Sequence, residues 1–266
     1  MSGFDLKGCC ALITGASAGI GREFARQLVG RASSLVLVAR RRERLEELRS
    51  ELTMHDLNLN VRIHQTDLSD ANAGKELCDW LERERIVIDL LINNAGLGDR
   101  GPFATGEPER VKEMIEVNVM ALTVLTRALL PEMIARKRGA ILNVSSSASF
   151  LPIPDFAVYA ATKAYVTSFS EAIRAELHGT GVTVASLCPG PVHTEFSKVA
   201  QRTSGPREKS GPKFTYVSVE DVVSAGLAAI ERNRPLVIPG FLMKLAMFVV
   251  RLTPMPLLRF ASRFGK

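Results

Sequence analysis

Tyr159 and Lys163 sit four residues apart in the stretch YAATK. On a helix that spacing puts both side chains on one face, one turn apart. A phenol with a pKa near about 10 is a poor base at neutral pH, and moving that value by three units takes about 4 kcal/mol. An ammonium about 4 Å away contributes on the order of 4 kcal/mol at an effective dielectric of about 20. A neighbouring lysine is thus the right size of charge to tune a tyrosine, and the pair reads as an acid/base group. The plainer alternative is a tyrosine packed inward beside a lysine that reaches for water.

A second cluster could hold phosphate. TGASAGIG, from Thr14 to Gly21, places glycines at 15, 19 and 21 after an apolar run and before a helical pattern. Glycine lets the backbone approach a pyrophosphate, and the following helix N-terminus favours its charge. About 20 residues further on, where an acid would bind the ribose hydroxyl of NAD, the chain has Ala39, Arg40, Arg41 and Arg42. Arginine there accommodates the 2′-phosphate, so the cofactor expected is NADP(H). Arg42 can equally do no more than open a solvated helix.

These residues need a frame that gathers them. Short apolar runs at 10–14, 34–39, 60–65, 87–93, 140–145, 182–187 and 235–239 alternate with amphipathic stretches, which is the pattern of βαβ units around a parallel sheet. Strong helical patterns cover 43–52, 108–137 and 157–178. In an open parallel sheet, ligands collect beyond the carboxyl ends of the strands. There the chain offers the glycines, the arginines, Asp67 and Leu68 for an adenine, NNAG at 93–96, SSSAS at 145–149, and CPGPVHTEF from 188. A purely structural protein has no reason to line one edge in this way.

The motifs taken together resemble the short-chain dehydrogenase/reductase family, in its branch with subunits of roughly 250 residues. T-G-x-x-x-G-x-G stands at Thr14, Gly15, Gly19 and Gly21, N-N-A-G at 93–96, Y-x-x-x-K at Tyr159 and Lys163, and P-G-x-x-x-T at Pro189, Gly190 and Thr194. The resemblance covers about residues 7–194 by motif and the remainder by length. It implies an α/β, Rossmann-like, doubly wound three-layer sandwich with a mostly parallel seven-stranded sheet. It also implies a catalytic group of Asn118, Ser146, Tyr159 and Lys163, the serine being taken thirteen residues before the tyrosine. Cofactor contacts are implied for Gly15, Ser17, Gly19, Ile20, Gly21, Arg40, Asp67, Leu68, Asn94, Ala95, Gly96, Tyr159, Lys163, Pro189, Gly190, Val192 and Thr194. Ser149 departs from the pattern, where many relatives have glycine. His193 falls in the variable part of its motif and is given no proton-carrying role.

The expected activity is interconversion of a carbonyl and an alcohol by hydride transfer with Tyr159 as acid/base. An apolar substrate is favoured, such as a 3-oxoacyl thioester or a hydroxysteroid-like ketone. A dinucleotide-binding regulator or scaffold without turnover is the alternative. The 266 residues, 46% hydrophobic and 23% charged, are enough for one core, expected over 1–240. The net charge of +6 comes without aromatic interleaving, which argues against nucleic acid. Cys9, Cys10, Cys78 and Cys188 have no metal-ligand spacing, so no metal is expected, and free thiols suit the cytosol. Family resemblance further implies a homodimer or homotetramer built on the two long helices.

Two segments break the βα rhythm. Residues 195–217, with two Gly-Pro pairs and several basic residues, read as a long mobile loop over the substrate. The apolar and basic stretch 241–266 reads as a tail packed on the body or on a subunit, with peripheral contact to a membrane surface as the other option. Its apolar runs are too short to span a bilayer, and Pro254 and Pro256 would interrupt a helix.

Overall fold

The computed structural model describes residues 3–202, 216–254 and 256–259. Seven strands form a single sheet: β1 (Cys10–Thr14), β2 (Ser34–Ala39), β3 (Asn60–Gln65), β4 (Leu90–Asn93), β5 (Gly139–Val144), β6 (Val182–Leu187) and β7 (Leu236–Val237). Their order is β3-β2-β1-β4-β5-β6-β7 and every pairing is parallel. All seven match runs expected from hydropathy, although β5 begins one residue before its run, β4 begins three residues later than its run and β7 keeps only two residues. The reversal of direction beside β1 makes the carboxyl edge of β1 and β4 the natural ligand site.

The five central strands, β2, β1, β4, β5 and β6, are buried on both faces, so successive residues serve opposite layers. Ile13, Leu35, Leu37, Ile92 and Leu142 face α1 (Gly19–Gln27), α2 (Arg42–His55) and α8 (Val219–Glu231), through Phe24, Leu45, Leu48, Val223 and Leu227. Leu12, Val36, Val38, Leu91 and Ile141 face α3 (Ala73–Arg83), α5 (Leu122–Ala135) and α6 (Ala157–Glu176), through Leu77, Leu81, Leu125, Met133 and Ile173. The result is a three-layer sandwich. One pair of amides sits inside it: Asn93 of β4 donates to Asn143 of β5 at 2.9 Å, and Asn143 donates to Ser170 of α6 at 2.9 Å.

The long run from residue 108 is three pieces in line: α4 (Pro108–Ile115), a π-helical stretch (Glu116–Ala121) and α5. Residues 195–217 are not a loop throughout. Glu195–Ala200 form α7, because the Thr194 hydroxyl accepts from the Phe196 backbone N–H and caps its first turn. The part of that expected loop at 203–215 lies outside the described residues. The start of the tail is helix α9 (Phe241–Leu252), which ends two residues before Pro254.

Candidate active site

The β1 edge is fixed first by Thr14. Its hydroxyl accepts from the backbone N–H groups of Asn94 and Ala95, both at 3.0 Å, and so ties the NNAG turn to the glycine turn. Asn94 returns the contact by donating its side-chain amide to the Thr14 carbonyl at 2.8 Å. Gly21 is required by closeness: a Cβ there would lie 2.3 Å from the Gly15 carbonyl oxygen. Gly15 combines a φ of +68° with a Cβ position 2.9 Å from Ala95 Cα, so no other residue fits without strain.

Beside this turn, Arg40 and Arg41 diverge. Arg40 reaches Asp67 at 3.5 Å across the β2 and β3 ends. Arg41 donates to the Ser17 hydroxyl at 3.3 Å and to Glu195 at 3.0 Å, and Arg44 donates to both Glu195 oxygens at 2.8 and 2.9 Å. The two guanidiniums hold the Glu195 carboxyl below the usual carboxylate range. Arg41 is therefore an anion-binding side chain at the glycine turn that the sequence reading, which chose Arg40, did not single out.

Across the cavity, α6 carries Tyr159 and Lys163 on one buried face. Tyr159 stacks on Phe156 with ring centroids 4.3 Å apart and meets Phe196 of α7 at 5.4 Å. The Lys163 ammonium donates to the Val144 carbonyl at 2.8 Å and lies 5.8 Å from the Tyr159 ring centroid. Burial pushes the phenol up to about 12, and the neighbouring Ser146 hydroxyl works against that rise. Burial lowers Lys163 to about 8. Desolvation dominates both groups, and each is driven toward its neutral form.

Of the three neighbouring serines, Ser145 is structural, donating to the Lys163 carbonyl at 2.9 Å and meeting Thr167 at 2.7 Å. Ser147 begins a short 3₁₀ turn whose N-cap is Ser146. Only Ser146 is placed beside the phenol. Asn118 sits in the π-helical stretch with its amide fully engaged: it accepts from Leu97 N–H at 2.8 Å and donates to the Leu97 carbonyl at 2.9 Å and to Thr162 at 3.0 Å. His193 turns to Tyr216, stacking at 4.2 Å.

One cavity of about 690 Å³ joins these groups. Along one side run Gly15, Ser17, Gly19, Ile20, Arg40, Arg41, Asp67, Leu68, Asn94, Ala95 and Gly96, continued by Pro189, Gly190, Val192 and Thr194. Ser146, Tyr159 and Lys163 form its floor, and Leu151, Ile153, Phe156, Phe196, Val199, Met243 and Met247 give the rest an apolar lining. Gly21 and Asn118 support this wall from behind. The cradle fits a dinucleotide: a backbone turn that admits no Cβ, cations at its end, and a carboxylate at the third strand.

The family model described as short chain dehydrogenase matches residues 9–205. The NADP-dependent 3-hydroxy acid dehydrogenase YdfG of Salmonella typhi is 39% identical over 219 residues, covering 80% of this chain and 86% of the relative. Among solved structures, a short-chain dehydrogenase from Sphingobium yanoikuyae in complex with NADPH is 30% identical, with a TM-score of 0.78 over 93% of this chain and 97% of that one. The bulky-bulky ketone specific alcohol dehydrogenase from Comamonas testosteroni is 28% identical, with a TM-score of 0.76 over 93% and 95%. With the glycine turn, the β1–β4 edge and the buried Tyr159–Lys163 face in one cavity, the chain belongs to the short-chain dehydrogenase family.

Proposed function

We propose that this dehydrogenase uses NADP(H) to interconvert an apolar ketone and its alcohol, with Tyr159 as the proton donor and acceptor. The observation that carries this reading is the place of Tyr159, buried between the arginine-ended glycine turn and the apolar lining. NADPH, when bound, supplies the hydride for the carbonyl carbon. Tyr159 gives its proton to the oxygen, which stays on carbon as the hydroxyl of the alcohol, and the phenol is reprotonated from solvent. Ser146 holds that oxygen by donating a hydrogen bond. Lys163 places a positive charge next to the phenol as it loses its proton, lowering the cost of the phenolate. Asn118 keeps the Leu97 turn in position beside the substrate.

Arg41 and Arg40 favour the phosphorylated cofactor, and the relative from Salmonella carries NADP in its name. An apolar ketone suits the Leu151, Ile153, Phe156 and Met243 lining, with 3-oxoacyl thioesters and steroid-like ketones as the classes to try first. Free Cys9, Cys10, Cys78 and Cys188 suit a reducing compartment. Exposed Ile115, Met120 and Tyr165 support homo-oligomer assembly through α4–α5 and α6. The test is NADPH oxidation against a panel of such ketones, with Tyr159→Phe alongside. Turnover by the parent and loss of at least about 100-fold in the variant are expected; a variant that kept most of the turnover would remove Tyr159 from the mechanism.

A further inference from the structure

Helix α9 has two apolar faces. Met243 and Met247, one turn apart, are buried and line the cavity. The opposite side presents Phe241, Leu242, Leu245, Phe248, Val249 and Leu252 to solvent, with Phe241 79% and Leu252 68% exposed. Leu257, just beyond the helix, is exposed as well. Of the sixteen large apolar side chains exposed among the described residues, seven fall between 241 and 257. Scattered exposed leucines need no explanation, but a concentration of this kind marks a surface that meets something.

Charge identifies the partner. From Gly240 to Lys266 the sequence holds Lys244, Arg251, Arg259, Arg263 and Lys266 and no Asp or Glu. Lys244 and Arg251 are themselves exposed and lie two turns apart on α9, flanking the apolar stripe. Arg251 also lies over the Phe150 ring at 5.7 Å, which anchors the helix to the body. A second copy docked symmetrically on this face would bring like cations together with no carboxylate in the segment to answer them. A lipid surface with anionic headgroups answers both features, taking the apolar side chains at the acyl boundary and the cations at the phosphates.

We infer that the outer face of α9 seats this enzyme on an anionic membrane surface. The substrate cavity then lies one helix thickness, about 10 Å, from the lipid. Met243 and Met247 form the wall between them, so an apolar ketone dissolved in the bilayer is within reach of the site without crossing bulk water.

The full chain is tested by co-sedimentation with vesicles of phosphatidylcholine alone and of phosphatidylcholine with phosphatidylserine. Binding to the mixed vesicles that weakens with added salt is expected. Each basic residue near such a surface contributes roughly fivefold, so Lys244→Gln with Arg251→Gln lowers the partition by about 25-fold. Leu245→Glu with Phe248→Glu abolishes it. NADPH affinity, read by fluorescence, stays unchanged in both double variants and shows that they are folded. Vesicle binding is read without turnover, so its failure leaves the role of Tyr159 untouched. A parent protein that stays in the supernatant with mixed vesicles overturns the inference, as does binding that survives the glutamates. An oligomer in sedimentation velocity that the glutamates dissociate would instead assign the face to a second copy.

Discussion

Glu195 Oε2 lies 3.0 Å from Nη1 of Arg41, whose Nη2 lies 3.3 Å from the Ser17 hydroxyl. This carboxylate, on the first turn of α7, thus occupies the anion-binding end of the glycine turn and connects the cofactor side of the cavity to the helix that carries Phe196. If Arg41 holds the 2′-phosphate, as proposed, that phosphate and Glu195 compete for the same guanidinium. Glu195→Gln is expected to tighten NADPH by several-fold and leave NADH unchanged. Arg41→Ala weakens NADPH by about 10- to 100-fold, the value of a charge-assisted hydrogen bond, again with NADH unchanged. Fluorescence titration with both cofactors checks this, and weaker NADPH binding by Glu195→Gln would show that the carboxylate orients Arg41 instead of contesting it.

The two buried titrating groups set a pH dependence. Lys163 is lowered from 10.5 to about 8, so its ammonium is present below pH 8 and is lost as pH rises through that value. Tyr159 is raised from 10.0 to about 12, so it keeps its proton throughout the neutral range. Ketone reduction should therefore hold steady up to about pH 8 and fall above it, while alcohol oxidation, which needs the phenolate, increases from neutral toward alkaline pH. Profiles of kcat/KM in both directions read this directly. For stability, the unfolded chain binds more protons than the folded one between 8 and 10.5, so the Lys163 contribution rises with pH across that window.

Asn118 offers a structural prediction that differs from a purely catalytic one. Replacing it by alanine removes three buried hydrogen bonds and strands the Leu97 N–H and carbonyl. A loss of about 2–4 kcal/mol is expected, seen as a lower urea midpoint. Unchanged stability with reduced turnover would assign Asn118 to the reaction alone.

Gly21→Ala would drive a methyl against the Gly15 carbonyl and the Asn94 amide, 2.3 and 2.5 Å away. The glycine turn must open to admit it. NADPH affinity should drop by at least about tenfold, and the melting temperature should fall with it.

Much of this was readable from residue type and spacing. The βα alternation placed every strand, and the Tyr159–Lys163 spacing worked because both residues lie on one uninterrupted helix. The place of Arg41 beside Ser17 was not readable for a local reason: Ala39 ends the strand, and beyond it strand alternation no longer dictates which side chain turns toward Ser17. The helix α7 carried its signal in Thr194 followed by Glu195, an N-cap with an acid in the first turn, but the Gly-Pro pairs downstream outweighed it. Asn118 gave no local sign of its π-helical setting, because its partners Leu97 and Thr162 are 21 and 44 residues away. Met243 and Met247 were hidden in a stretch apolar all round, where periodicity cannot say which side faces inward.

That last helix follows every strand of the sheet along the chain. The dinucleotide cradle draws on residues up to Thr194, whereas the methionine wall is added only once α9 has docked. Substitutions at Met243 and Met247 can therefore reshape the chamber while the glycine turn, Tyr159 and Lys163 stay as they are.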